Sequence, residues 1–340
     1  MNYTKSMQGK DLVTTQDWEK EELDIVLELA REMQENRFHH PLNKSLENKS
    51  FFMFFYNPSV RTRQSFEIAA TELGGHALFL EPKSMRLKTA TSAGETIEDA
   101  AKVMSRYACG LGIRILEDKI PHYGAGEELV REYAQHSSIP IVSMAHDKYH
   151  PCQGLADIMG IQRHLGNLKG KKTLLTWGHG ALARSWCSVQ EYLLIASRYG
   201  MSVTLAHPEG YDLDPQVIEQ TKKNCEQNSE EFHITNDLQE GYEDVDVVYS
   251  RNWMSPQAYR DGQLQKEQEI RKALQLTEWI CDAEKMKLSN DALYIHPMPI
   301  DRGHEVTDEI ASGSRSIIYD VAENRLHVQK AVMALTMGEY

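Results

Sequence analysis

Phe51-Phe52-Met53-Phe54-Phe55-Tyr56-Asn57-Pro58-Ser59-Val60-Arg61-Thr62-Arg63-Gln64-Ser65-Phe66 is the stretch that decides how this chain folds. Phe51 to Phe55 is an apolar run of strand length. Beyond it, Phe66, Ala69, Ala70 and Leu73 recur at the i, i+3, i+4, i+7 spacing of one helix face. Pro58 to Arg63 therefore sits at a strand-to-helix turn. A helix N-terminus offers unpaired backbone N–H groups and the positive end of the macrodipole. Ser59, Thr62 and the guanidinium groups of Arg61 and Arg63 add donors suited to a phosphate. The same six residues also fit a plain capped helix carrying two surface charges, and the motif alone leaves both readings open.

Outward from this junction, short apolar runs alternate with helical patterns along almost the whole chain, which predicts α/β organisation. Strands are predicted at Phe51–Phe55, Ala77–Leu80, Gly112–Leu116 and Ile139–Ser143. A second set follows at Thr173–Trp177, Ser202–Ala206, Val245–Tyr249 and Leu293–Ile295. Helices between them include Thr96–Tyr107, Gln153–Leu165 and Pro215–Asn228. The polar segment Gly166 to Lys172 reads as a connection, so the second sheet is expected to begin at Thr173. Val328, Ala331, Val332 and Leu335 share one face of a terminal helix of the kind that packs back on an earlier domain.

At 340 residues there is room for two cores of ordinary size. A net charge of −13 opposes binding to nucleic acid or anionic lipid, so any cationic pocket must be local. Five scattered Cys without a C-x-x-C pair suggest reduced thiols and neither a disulfide framework nor a zinc site. No apolar run is long enough to span a membrane, and the polar, acidic N-terminus does not resemble a signal peptide. A cytoplasmic location is expected.

Three further clusters fall at or just beyond the predicted C-terminal ends of strands, where open parallel sheets place their sites. Arg114 ends the apolar Gly112-Ile113-Arg114. His150-Pro151-Cys152-Gln153 opens a helix. His296-Pro297-Met298-Pro299 follows Leu293–Ile295, with prolines that fix an irregular backbone and leave carbonyls free. Singly, these also read as a strand-end salt bridge, a helix cap and a rigid turn.

Together, and in this order, they resemble the aspartate/ornithine carbamoyltransferase superfamily over nearly the whole chain. Ser59 to Arg63 matches its Ser-x-Arg-Thr-Arg phosphate motif, and His150 to Gln153 its His-Pro-x-Gln. Val321-Ala322-Glu323-Asn324-Arg325 resembles its acidic-Ala-Glu-Asn-Arg ending. The resemblance implies two doubly wound parallel-sheet α/β domains. The first, residues 1–152, would bind carbamoyl phosphate, with a C-terminal helix 323–340 returning to it. The second, 153–322, would bind the amine acceptor. It further implies a homotrimer with shared active sites and no metal or organic cofactor. The long stretch from Trp177 through Gly178-His179-Gly180 to Trp186, with Tyr249-Ser250-Arg251-Asn252-Trp253, is most similar to the N-acetylornithine and N-succinylornithine carbamoyltransferases, whose extra loop is knotted. A knot is expected here on that ground alone.

The resemblance assigns roles residue by residue. Ser59, the backbone of Val60 and Arg61, the Arg61 side chain, Thr62 and Arg325 would hold the phosphate. Arg114, His150 and Thr62 would donate to the carbamoyl oxygen, while Gln153 and the carbonyls of Pro297 and Met298 would take the carbamoyl NH2. Asp147, Arg251, Met298 and Glu305 would face the acceptor, Glu305 standing where N-acetylornithine enzymes place a modified, negatively charged lysine. Departures leave the acceptor open. His296-Pro297-Met298-Pro299 is nearer the aspartate enzymes' His-Pro-Leu-Pro than the ornithine enzymes' His-Cys-Leu-Pro. The ornithine enzymes' Ser-Met-Gly loop is absent. The segment Lys83 to Glu95, expected to reach a neighbouring subunit through Arg86 or Lys88, lacks the usual Gln or Lys. Ornithine or putrescine as acceptor, or a non-catalytic paralogue, stay as alternatives.

Overall fold

The computed structural model describes residues 7–82, 93–260 and 263–339. The chain divides into two compact units, residues 1–155 with 324–340, and residues 156–323.

The first unit holds α1 (Lys20–Glu35), β1 (Ser50–Phe55), α2 (Val60–Glu72), β2 (His76–Leu80), α3 (Ile97–Met104), β3 (Gly110–Ile115), α4 (Ala125–His136), β4 (Ile141–His146) and the start of α5 (Pro151–Leu165). Its sheet is four-stranded and parallel, in the order β2-β1-β3-β4. Consecutive strands thus leave β1 on opposite sides, which opens a switch point between β1 and β3. Phe55 pairs there with Arg114, and the Tyr56 N–H donates to the Arg114 carbonyl at 2.9 Å. Phe54, Ile113, Val130, Tyr133 and Ile141 pack one side of this sheet. The helices start where local chemistry directs. Ser59 caps α2 and Thr96 caps α3, each accepting the N–H three residues on.

The second unit continues α5 and adds β5 (Lys172–Trp177), α6 (Cys187–Arg198), β6 (Ser202–Ala206), α7 (Pro215–Asn228), β7 (Phe232–Thr235), α8 (Leu238–Tyr242) and β8 (Val247–Arg251). There follow the short antiparallel pair β9 (Tyr259–Arg260) and β10 (Gln263–Leu264), then α9 (Lys266–Ala273), α10 (Ala283–Met286), β11 (Leu293–Ile295), α11 (Asp308–Ala311) and the start of α12 (Ile318–Met337). Its parallel sheet runs β11-β8-β5-β6-β7, so the switch point lies between β5 and β8, where Trp177 pairs with Arg251. α7 begins with Asp214 as cap and Pro215 in the first turn, the arrangement that starts a helix most cheaply.

Strands Ser202–Ala206 and Leu293–Ile295 and helix Pro215–Asn228 coincide with their sequence expectations, and β3, β4 and β8 are shifted by about two residues. β7 was not expected. It is an edge strand whose His233 and Ile234 are exposed, so it lacks the apolar signature of its neighbours.

Candidate active site

In the first unit Ser59, Thr62 and Arg325, expected to hold an anion, meet at the β1/β3 switch point. Ser59 Oγ accepts the Thr62 N–H at 3.4 Å and donates to Thr62 Oγ1 at 3.0 Å. Arg325, on α12, reaches the same hydroxyl through Nη2 at 3.1 Å, which brings a residue 263 positions away to the N-terminus of α2. Arg61 is exposed and forms no ion pair among the described residues, so its guanidinium is open to an anion. Arg63 does not join it. It pairs with Glu67 at 2.8 Å and lies over the Phe79 ring at 4.2 Å, as the surface-charge reading of that one residue held.

Arg114 ends β3 beside a register shift between β3 and β4, a bulge that re-aims the strand end. His150 and Gln153 are buried at the turn from β4 into α5, where the Gln153 N–H donates to the His150 carbonyl at 2.9 Å. Asn57, which sequence reasoning passed over, ties this floor together. Its side chain accepts the Leu116 N–H at 2.7 Å and donates to Asp118. Arg114, Ser59, Thr62 and His150 thus come from the C-terminal ends of three neighbouring strands.

Asp147, expected to face the acceptor, also has a task within the fold. Fully buried, it accepts the backbone N–H groups of Gly124 and of Glu127, the latter at 3.2 Å, and so caps α4.

In the second unit, the residues after β5, β8 and β11 are woven into one polar cluster. Glu305 is its centre, with no exposed surface. Oε1 accepts the Asn252 N–H at 2.9 Å and pairs with Arg184 Nε at 3.1 Å. Oε2 accepts the Asp301 N–H at 2.8 Å and faces His296 Nε2 at 3.1 Å. Burial opposes ionisation, but His296, Arg184 and the Asn252 N–H outweigh it and hold the carboxyl at about 2. The carboxylate thus takes hydrogen bonds from two backbone N–H groups and the His296 ring, with the Arg184 guanidinium as its ion-pair partner. In this structure Glu305 supplies its charge to the loops around it. Gly178 is needed beside it, since a Cβ there would lie 3.1 Å from the Glu305 Cα.

Indole groups hold the surrounding loops. Trp177 donates to the Trp253 carbonyl at 2.8 Å, Trp253 to that of Tyr211 at 2.8 Å and Trp186 to that of Met254 at 2.7 Å. The Gly178–Trp186 loop is pinned by the Gly178 N–H on the Arg251 carbonyl at 3.0 Å and the His179 N–H on that of Trp279 at 2.8 Å.

Arg251 stands apart. Only 8 % exposed at the end of β8, it makes no ion pair, and its Nε and Nη1 have no hydrogen-bond partner, among the described residues. Arg184, equally buried, was missed in the sequence because its partner Glu305 lies 121 positions away; a lone Arg in a loop gives no signal. The expected contacts from Arg86 or Lys88 fall in residues 83–92, outside the described residues. No cluster of three metal-ligating side chains occurs among the described residues, and no helix there is long and apolar enough to cross a membrane.

The two wound sheets carry a capped helix N-terminus with an open guanidinium at the first switch point and a buried guanidinium at the second, an α/β architecture with polar groups gathered at strand ends. Residues 10–163 match the model of the aspartate/ornithine carbamoyltransferase carbamoyl-P binding domain, and residues 181–336 that of the Asp/Orn binding domain of the same enzymes. The chain belongs to the aspartate/ornithine carbamoyltransferase family and is a carbamoyltransferase. It is 34 % identical to an ornithine carbamoyltransferase of Thermococcus kodakarensis, covering 98 % of each chain. It is also 34 % identical to an N-acetylornithine carbamoyltransferase of Xylella fastidiosa, covering 96 % of this chain and 98 % of that one. Among solved structures, acetylornithine transcarbamylase complexed with acetylcitrulline matches at 33 % identity with a TM-score of 0.89, over 97 % of this chain and all of the other.

Proposed function

We propose that the protein transfers the carbamoyl group of carbamoyl phosphate to the primary amine of an acceptor bearing a carboxylate, with an N-acylated ornithine such as N-acetyl- or N-succinylornithine the best fit. Arg251 carries this reading. A buried guanidinium with two unpartnered nitrogens at a sheet switch point calls for an anion, and a carboxylate matches its planar fork. The likeness to a structure holding acetylcitrulline supports an acylated acceptor.

In this reading Ser59, the backbone N–H groups of Val60 and Arg61, the Arg61 side chain, Thr62 and Arg325 hold the phosphate. Arg114, His150 and Thr62 donate to the carbamoyl oxygen, on which negative charge grows during attack. Gln153 and the carbonyls of Pro297 and Met298 take the carbamoyl NH2, which offers only donors. The amine nitrogen attacks the carbamoyl carbon. The C–N bond forms as the C–O bond to phosphate breaks, the electron pair leaves on the phosphate oxygen, and that oxygen is able to accept the amine proton. Positioning and electrostatics do most of the work, without a protein nucleophile. A homotrimer goes with this reading and is checked by light scattering of the purified protein.

The test is an acceptor panel. Purified protein with carbamoyl phosphate is offered N-acetylornithine, N-succinylornithine, ornithine, putrescine and aspartate, and both ureido product and phosphate are measured. N-acylated ornithine should give the highest kcat/KM. Ornithine is kept in the panel because ornithine carbamoyltransferases are relatives at the same identity. Faster turnover of ornithine would move the assignment to that acceptor, and no ureido product from any amine would reject the reading.

A further inference from the structure

We propose that Glu305 is a positioning residue which, through His296, sets the backbone of Met298. The proposal rests on the reading above for what the Met298 carbonyl contacts, and on the geometry alone for the relay itself. Met298 has φ +58°, the left-handed region that a residue with a long side chain seldom adopts. Its N–H donates to His296 Nδ1 at 2.9 Å, so Nδ1 carries no proton. The proton of the neutral ring is then on Nε2, 3.1 Å from Glu305 Oε2, and points at it. Glu305 thereby selects the tautomer and fixes the ring plane, and the ring in turn holds Met298 in its strained turn.

Glu305 does not float. Asn252 and Asp301 grip it by backbone N–H groups and Arg184 by its guanidinium, so three segments fix one carboxylate. The relay runs from that anchored oxygen through one imidazole to one peptide, and each member is buried or half-buried. The family's expectation of a ligand-facing negative charge at this position is replaced by an inward-facing one that shapes the carbonyl-bearing turn.

Two variants test it. Glu305→Gln keeps the size but removes the charge and replaces one acceptor oxygen by a donor, so it cannot serve both the Arg184 ion pair and the three hydrogen bonds. His296→Asn keeps an acceptor near the Met298 N–H and cuts the link to Glu305. In the wild type, ¹⁵N NMR of labelled histidine should show His296 protonated on Nε2, and Glu305→Gln should erode that tautomer and shift the Met298 amide. In steady-state kinetics each variant should lower kcat by about a hundredfold, the cost of misplacing a reacting group by about an ångström, with the acceptor KM changed less than threefold. A wild-type His296 protonated on Nδ1 would overturn the relay. So would a Glu305→Gln enzyme with unchanged kcat, whether its acceptor KM rises, as for a direct acceptor ligand, or stays constant. If the wild type carbamoylates no amine, the functional reading fails by itself, and the NMR arm still decides the relay. Should Glu305→Gln fail to fold, His296→Asn and the wild-type tautomer carry the test.

Discussion

Replacing Arg251 by Met should move stability and activity in opposite directions. The guanidinium is nine-tenths buried with Nε and Nη1 unpartnered, so the free protein bears the desolvation of two donors with nothing in return. An unmet buried donor costs roughly 1–3 kcal/mol, and Met fills much of the same space without one. Relief of about 2 kcal/mol in a unit the size of residues 156–323 corresponds to a rise in Tm of roughly 4–8 °C. The bound acceptor gives the opposite sign. Two charge-assisted hydrogen bonds to a carboxylate contribute roughly 1.5–3 kcal/mol each, so kcat/KM for the acceptor should fall by roughly 10²–10⁴. Binary affinity for carbamoyl phosphate should change little. Calorimetric melts without ligand, together with steady-state kinetics on the best acceptor of the panel, measure both arms. A variant that melts lower than wild type and keeps its kcat/KM would show that Arg251 is a structural cation and would refute the carboxylate reading.

Arg61→Ala should leave the melt unchanged, because the side chain is exposed and unpaired, while weakening carbamoyl phosphate binding about tenfold or more by calorimetry. Lys330 is wholly buried on α12, with its ammonium 2.9 Å from Glu72 Oε2 and 3.1 Å from the Arg37 carbonyl. Lys330→Met should cost about 1–3 kcal/mol in a denaturant titration, and a Lys330→Met, Glu72→Gln double variant should lose less than the two singles summed. Stability should fall with acid in two stages. Burial lowers the His296 pKa, so below about pH 6.5 the unfolded chain takes up a proton that the folded ring refuses. Glu305, held at about 2 against an ordinary 4.5, contributes stability that is full above pH 4.5 and lost as pH falls toward 2. Glu305→Gln should flatten the lower stage of a pH series of melts, and an unchanged slope would refute its assignment.

The sequence by itself determined whatever is written locally. An apolar run followed by Pro-Ser and a helical stripe can only be a strand that turns into a capped helix, because burial period and cap chemistry act within a few residues. The helix cap at Ser59, the Arg at the end of β3, and His150 opening α5 were legible for that reason. Parallel sheets place such strand ends side by side, so even the grouping of the sites followed from the alternation of elements. The fate of individual charges was decided only in three dimensions. Arg63, two residues from Arg61, turns to Glu67 and Phe79. Asp147, three residues from His150, is spent on the first turn of α4. Glu305 reads as an acceptor-facing charge until β8, β11 and the Gly178–Trp186 loop bring two backbone N–H groups, an imidazole and a guanidinium to it. A charged side chain can be buried only where partners offset its desolvation, and those partners come from distant segments, as with the 258 positions between Lys330 and Glu72, whose meeting is set by packing and leaves no mark in the local pattern.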